Sequence, residues 1–325
     1  MPRPRLDPEL EGVLRHVLER VPSSLTVDLI PSVRATAGQF APSDSELHRD
    51  GAIVVEEVLA TGSCGGPDVP LLVCRPRGVS ATDRALPAVY YIHGGGMVMG
   101  NNRTGLDSVL DWVETFPLVL VSVEYRLAPE HPHPAPIQDC FDGLEWTASH
   151  AAELGIDAGK IILAGGSAGG GLAAGLALMA RDGGGPALAG QLLMAPMIDD
   201  RSDQPSTYEL IGEGIWDRIS NLTGWGALLG ESHGGPDVSV YAAPARASDL
   251  SGLPATYIDV GSVDTLRDES VDFAARIWRA GGSAELHVWS GAFHGFDQLA
   301  SRAAVSIDCR RARQRWLRRV LDDAV

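Results

Sequence analysis

Apolar residues recur along this chain with two different periods, and the change of period divides it. Leu10, Val13, Leu14, Val17 and Leu18 form a stripe at helical spacing. Pro31, Gly38 and Pro42 break the segment that follows, which precedes the first strand and reads as an appendage to the core. From residue 52 the pattern becomes that of strands. Residues 52–60 carry Ile53, Val54, Val55 and Val58, and residues 69–75 follow a Gly65-Gly66-Pro67-Asp68 turn, which predicts an early hairpin. Residues 86–93, aliphatic and aromatic along their length, read as a buried central strand, and residues 118–124 as another. Helices are predicted at 102–115 and 135–152, the second with Ile137, Phe141, Leu144, Trp146 and Ala148 along it. Further strands fall at 161–165, 192–194, 255–260 and 284–289, with helices at 268–280 and about 299–321. Two short strands followed by strand–helix alternation predict an α/β fold, a mostly parallel sheet of about eight strands flanked by helices. Residues 199–253 interrupt the alternation with Tyr208, Trp216, Trp225 and several glycines. They read as an inserted helical piece that, with the N-terminal appendage, caps the strand ends. The two tryptophans either line a pocket there or hold the cap together.

One stretch organises the rest. Ile161-Ile162-Leu163-Ala164 is a short aliphatic strand that stops at Gly165-Gly166; Ser167 follows, then small residues and the alanine-rich run 172–180. Strand, sharp turn and helix with a serine at the apex fit the G-x-S-x-G nucleophile elbow, with Gly165 and Gly169 at its two glycines. A Cβ at either would clash with a neighbouring strand or helix. The serine sits at the positive end of the following helix. A dinucleotide loop is the rival, through Gly169-x-Gly171-x-x-Ala174, but that pattern lies inside the helix and no acidic residue ends a second strand at the usual distance.

Two further motifs end strands at the same edge of the sheet. His93-Gly94-Gly95-Gly96-Met97 follows the third strand, and consecutive glycines let backbone N–H groups converge on one point, where they stabilise a developing oxyanion; losing one such donor costs about 3 kcal/mol. His294-Gly295-Phe296 follows the last strand, where a general base is required if serine, acid and histidine come in that order along the chain. Of the other histidines, His287 lies within a strand, and His131 and His133 sit in a proline-rich loop with no third metal ligand evident. Asp264, just after the penultimate strand, is the acid that would fix the His294 tautomer. Asp259 falls within the strand, Asp268 in the first turn of the next helix, and Asp199 and Asp200 after an earlier strand.

Composition narrows the picture. The chain has 325 residues, 45% hydrophobic and 21% charged, as globular proteins do, with a formal net charge of −16 and a pI near 4.9. That balance disfavours nucleic acid or an anionic membrane as partner. No apolar run is long enough to span a bilayer, and the first ten residues lack the apolar core of a signal peptide. Cys64, Cys74, Cys140 and Cys309 are scattered, which predicts reduced thiols in a cytoplasmic protein. The arginine-rich stretch 310–319 reads as an amphipathic helix with a solvated basic face, since Ala312, Trp316 and Val320 align at helical spacing.

Five motifs in order carry a resemblance: His93-Gly94-Gly95-Gly96, Tyr125-Arg126-Leu127-Ala128-Pro129-Glu130-His131-Pro132, Gly166-Ser167-Ala168-Gly169-Gly170, Asp264-Thr265-Leu266-Arg267-Asp268-Glu269 and His294-Gly295-Phe296. Over residues 50–320 the chain resembles the hormone-sensitive lipase-like carboxylesterases, bacterial esterase family IV, of the α/β-hydrolase fold. The resemblance implies Ser167 as nucleophile, His294 as base and Asp264 as acid. It implies the amides of Gly95, Gly96 and Ala168 as oxyanion donors, with His93 and Gly94 supporting the glycine loop. It implies hydrolysis of short- to medium-chain acyl esters without cofactor or metal, and a homodimer in many members, often through the last strand. The domain organisation it suggests is a cap segment at 1–50 and a catalytic domain at 51–325 with a cap insertion at about 200–250. Gly166 stands where Asp or Thr is usual, Thr265 where proline is common, Glu124 for a common Asp, and Met97 for a frequent aromatic that bears on the acyl pocket. An amidase, lactonase or deacetylase would use the same triad. A non-catalytic ligand receptor on this fold would lack the base that His294 supplies.

Overall fold

A computed structural model describes residues 3–37, 41–78 and 85–323. Gly38 and the first two residues lie outside the described residues, as does the side chain of Cys64. The elements run α1 (Pro8–Leu18), α2 (Ile30–Ala37), α3 (Asp44–Leu47), β1 (Ile53–Ala60), β2 (Val69–Pro76), β3 (Leu86–Ile92), α4 (Leu106–Thr115), β4 (Val119–Val123), α5 (Ala135–Ser149) and α6 (Ala151–Leu154). They continue with β5 (Ile156–Gly166), α7 (Ala168–Gly183), β6 (Leu188–Met194), α8 (Pro205–Glu209), α9 (Arg218–Leu229), β7 (Ala255–Val263), α10 (Arg267–Arg279), β8 (Ala284–Phe293), α11 (Phe296–Leu299) and α12 (Ala304–Asp323).

The eight strands form one sheet in the order β1-β2-β4-β3-β5-β6-β7-β8. The first hairpin is antiparallel, as is the β2–β4 pair, and every other neighbour is parallel. Parallel strands must be covered on both faces. On one face Tyr90, Ile92, Leu163 and Leu193 pack with α5, α7 and α10; on the other Tyr91, Ala164, Leu192 and Tyr257 pack with α4 and α12. A third, smaller cluster joins Leu10 and Leu14 of α1 to Phe293, Phe296 and Cys309. The helical stripe at 10–18 is thus the seam that holds the N-terminal segment onto the end of β8. There the backbone N–H of Asp7 donates to Gly291 O at 3.0 Å.

Three predicted elements come out differently. The helix predicted from 102 begins at Leu106, because the Asn101 side chain accepts from the Arg103 amide and Thr104 Oγ1 accepts from the Asn101 amide, making a turn instead. The helix predicted over 135–152 is interrupted at His150. The closing helix is two helices with a break at 300–303. Arg310 donates to the Asp297 and Ser301 carbonyls around the break, and the Ala304 amide that opens α12 donates to the Glu9 carboxylate at 2.8 Å. Nor is the basic face of α12 solvated throughout. Arg311, Arg315, Arg318 and Arg319 are exposed, but Arg313 is buried between two aspartates.

Candidate active site

The site is built where β5 turns into α7. Ser167 sits at φ 56°, ψ −121°, outside the ordinary regions for a residue with a side chain. Its backbone holds it there: its amide donates to Met194 O at 2.8 Å, and its carbonyl accepts from Gly171 and Met197 at 3.0 and 2.9 Å. The turn closes only with glycine on both sides. A Cβ at 165 would lie 2.2 Å from Gly169 O, and one at 169 would lie 2.0 Å from Ile92 O.

Two other strand ends bring their side chains to the hydroxyl. His294 Nε2 lies 3.0 Å from Ser167 Oγ, and His294 Nδ1 lies 2.9 Å from Asp264 Oδ2. An ionised carboxylate only accepts, so Nδ1 carries the proton and Nε2 is left to accept from the serine hydroxyl. Asp264 is buried, and its second oxygen accepts from the Leu266 amide at 2.9 Å, which fixes the carboxylate. Burial lowers the proton affinity of His294, but the charge and hydrogen bond of Asp264, together with the charge of Asp297, outweigh it and raise its pKa above the usual imidazole value of 6.5.

The glycine loop lies against the same point. Gly95 and Gly96 have φ of 117° and 61°, and their N–H groups have no acceptor among the described residues. Ala168 opens α7, where an amide has no intrahelical partner. A Cβ at Gly96 would lie 2.3 Å from the Trp216 ring, so the cap rests directly on this loop. His93 is buried with Nδ1 2.7 Å from Gly94 O, and it stacks on Tyr125 at 4.2 Å between ring centres. The Tyr125 hydroxyl donates to the His93 carbonyl. Burial pushes the His93 pKa down to about 4, so the ring is a neutral brace.

The other residues singled out from the sequence are engaged elsewhere. Asp199 binds Arg201, Asp200 binds Arg246, and His287 stacks on Trp289 and pairs with Glu285. Among the described residues no group of three potential ligands is placed to hold a metal. Trp216 lines the cavity in front of Ser167, whereas Trp225 is core. Met97 was expected to bear on the acyl pocket, but it is fully buried beneath the glycine loop, its φ of 63° turning it into the core. Thr265 donates to the Trp216 carbonyl, a bond that proline could not make.

Two features escaped the sequence reading. Glu269 is buried behind Asp264 and accepts from the Ile198 and Asp199 amides; burial pushes its pKa well up. Arg313 joins Asp259 and Asp297 at the back of the site. Glu269 had a signal in the Asp264–Glu269 motif, but Arg313 had none, because its partners lie on other elements.

A cavity of about 390 Å³ runs past the serine. Its outer wall is apolar, with Val17, Val21, Leu25 and Val33 from the N-terminal segment and Ile215 and Trp216 from the insertion. The two pieces are tied together: Ser24 Oγ donates to Asp217 at 2.8 Å, and the Leu25 amide donates to Ser220 Oγ at 2.8 Å. No helix among the described residues is long and apolar enough to cross a membrane.

Comparison with known proteins bears on the fold and the family. The family profile of the alpha/beta hydrolase fold matches residues 89–298. Esterase LipI of Mycobacterium tuberculosis is 36% identical over 295 residues, covering 89% of this chain and 88% of its own. Carboxylesterase NlhH from the same species is 35% identical, covering 90% of each. Among solved structures, the Bacterial Heroin Esterase superposes with a TM-score of 0.89 at 37% identity, covering 97% of this chain and 98% of its own. Esterase LipW from Mycobacterium marinum superposes with a TM-score of 0.85 at 34% identity, covering 98% of each.

Proposed function

The chain belongs to the hormone-sensitive lipase-like esterases of the α/β-hydrolase fold, and on that premise we propose that it hydrolyses short- to medium-chain carboxylic esters with Ser167 as nucleophile, His294 as general base and Asp264 as its acid partner. The observation that carries this reading is the unbroken hydrogen-bonded line from Asp264 through His294 to a serine on a strained elbow.

Ser167 Oγ attacks the ester carbonyl while its proton passes to His294 Nε2. The carbonyl oxygen gains charge in front of the amides of Gly95, Gly96 and Ala168, which have no acceptor among the described residues. Asp264 stabilises the imidazolium so formed. The imidazolium gives its proton to the departing alkoxide, leaving an acyl-serine and an alcohol. Water then attacks the acyl-serine, losing a proton to His294, and the acid departs as Ser167 recovers its hydrogen. Cap segments 1–50 and 200–250 exclude bulk water, and the modest apolar cavity suits a small acyl ester.

The reading extends to setting and assembly. The buried, unbridged thiols of Cys74, Cys140 and Cys309 support the reducing cytoplasm. β8 stands at the sheet edge and is the strand through which a homodimer would extend the sheet. The test is turnover of p-nitrophenyl acetate, butyrate, octanoate and palmitate by wild type and Ser167→Ala. The short esters should be hydrolysed, and the variant should lose on the order of 10⁵-fold or more in kcat. Retained activity in the variant would remove Ser167 from the mechanism.

A further inference from the structure

Behind Ser167 the cavity turns from apolar to charged. On the sheet face covered by α4 and α12, the strand register sets side chains in two rows: Tyr91, Ala164, Leu192 and Tyr257, then Gly166, Met194 and Asp259 nearer the site. Any side chain at 166 would project from this face, above Ala164. None does, and the backbone gives no reason for a glycine: φ at 166 is ordinary, and the nearest atom to an added Cβ is Met194 Cε at 3.8 Å. Gly166 therefore leaves open a space that Asp or Thr would fill. Gly105, at φ 78°, keeps the same region clear, since a Cβ there would lie 2.6 Å from the Tyr91 hydroxyl.

The walls of that space are polar and unevenly charged. Arg313 makes a two-pronged contact with Asp259 at 2.7 and 3.0 Å, and its remaining nitrogen donates to Asp297 Oδ2. Within this triad one guanidinium faces two carboxylates, a formal charge of −1, while a second guanidinium, of Arg310, contacts Asp297 only through its backbone carbonyl. Asp259 is fully occupied, with Tyr257 and Cys309 also donating to it. Asp297 is not: its Oδ1 has no partner among the described residues. The Tyr91 hydroxyl likewise has no partner among them, although Tyr91 is only 2% exposed. Tyr91, Gly166, Asp297 and Arg313 all line the cavity. The excess negative charge reaches the reaction centre, for Asp297 helps to raise the proton affinity of His294.

We propose that this hollow is a cation subsite, which selects esters carrying an ammonium group on one side of the scissile bond, with the Tyr91 hydroxyl and Asp297 Oδ1 as its receiving groups. The inference rests on the esterase reading for its substrate class. A hydroxyl and a carboxylate oxygen without other partners among the described residues, held away from bulk water, attract a quaternary or protonated amine. A carboxylate-bearing acyl group would meet repulsion in the same place.

Matched substrates test it from both sides of the ester. Butyrylcholine is compared with 3,3-dimethylbutyl butyrate, and p-nitrophenyl 4-(trimethylammonio)butanoate with p-nitrophenyl 5,5-dimethylhexanoate; each pair differs in charge and hardly in shape. In at least one pair the cationic ester should have the higher kcat/KM by about tenfold, the size expected for a partly screened contact with one unpaired carboxylate. The preferred pair identifies which side of the substrate enters the hollow. Asp297→Asn keeps the shape and the acceptor for Arg313 while removing the charge, and should bring the ratio near one. Gly166→Thr should lower the ratio by closing the space. Equal rates within both wild-type pairs, or a ratio unmoved in both variants, would overturn the subsite. Failure of the esterase reading is separate, since it appears as no turnover of p-nitrophenyl acetate. In that event calorimetry with tetramethylammonium decides: saturable binding weakened in Asp297→Asn supports the subsite, and no binding to wild type ends it.

Discussion

The Thr265 hydroxyl donates to the Trp216 carbonyl at 2.8 Å, so the residue after Asp264 holds the residue that roofs the glycine loop. Thr265→Val leaves a buried carbonyl unsatisfied at nearly constant volume, which costs about 1–3 kcal/mol. Urea unfolding should register that loss. In kinetics the variant should raise KM more than it lowers kcat, because Trp216 shapes the cavity without touching the reacting proton. A drop in kcat alone would mean that Thr265 acts on Asp264 and not on the cap.

The pH profile follows from the charges around His294. Only the neutral imidazole accepts the serine proton, so kcat/KM falls as pH drops through the His294 pKa. That pKa lies above 6.5, so the midpoint of the acid limb should too. Asp297→Asn removes one of the charges that raise it and should move the limb to lower pH. A wild-type midpoint at or below 6.5 would contradict the balance of burial and charge described here.

Glycine substitutions at the elbow separate steric need from opportunity. Gly165→Ala and Gly169→Ala place a methyl 2.2 and 2.0 Å from backbone oxygens and should give misfolded or inactive protein. Gly166→Ala meets nothing within 3.8 Å and should fold with an unchanged circular dichroism melt. If the first two variants fold and turn over esters normally, the elbow is more plastic than its packing implies.

Arg313 is nearly fully buried with both aspartates, and deleting it strands two carboxylates in the interior. Arg313→Met should lose about 3–5 kcal/mol in denaturant unfolding. Adding Asp259→Asn and Asp297→Asn to it should recover most of that loss, since uncompensated charge and not lost packing is the cause. A triple variant as unstable as the single one would refute this.

The order of elements, the sheet, and Ser167, Asp264 and His294 were legible because each signal is local. An aliphatic run that meets glycines ends a strand, and a titratable residue just beyond a strand end belongs to the site edge. What could not be read depends on distant partners. Arg313 looks like its exposed neighbours in α12 until Asp259 is seen 54 residues away in β7. Met97 faces the core only because its φ is positive, which sequence does not display. The break before α12 needs Glu9, from nearly the far end of the chain, to bind its first amide. Trp216 and Trp225 had equivalent surroundings in sequence, and packing alone separates pocket wall from core.

The bond from Leu25 to Ser220 spans 195 residues. A ribosome adding about 5–20 residues per second needs about 10–40 s to cover that distance. For nearly all of that interval Val17, Val21, Leu25 and Val33 have been made, but the insertion that completes their wall of the cavity has not. The roof of the cavity therefore cannot close until about two-thirds of the chain has been made, and its apolar lining is the surface a chaperone would meet on the nascent chain.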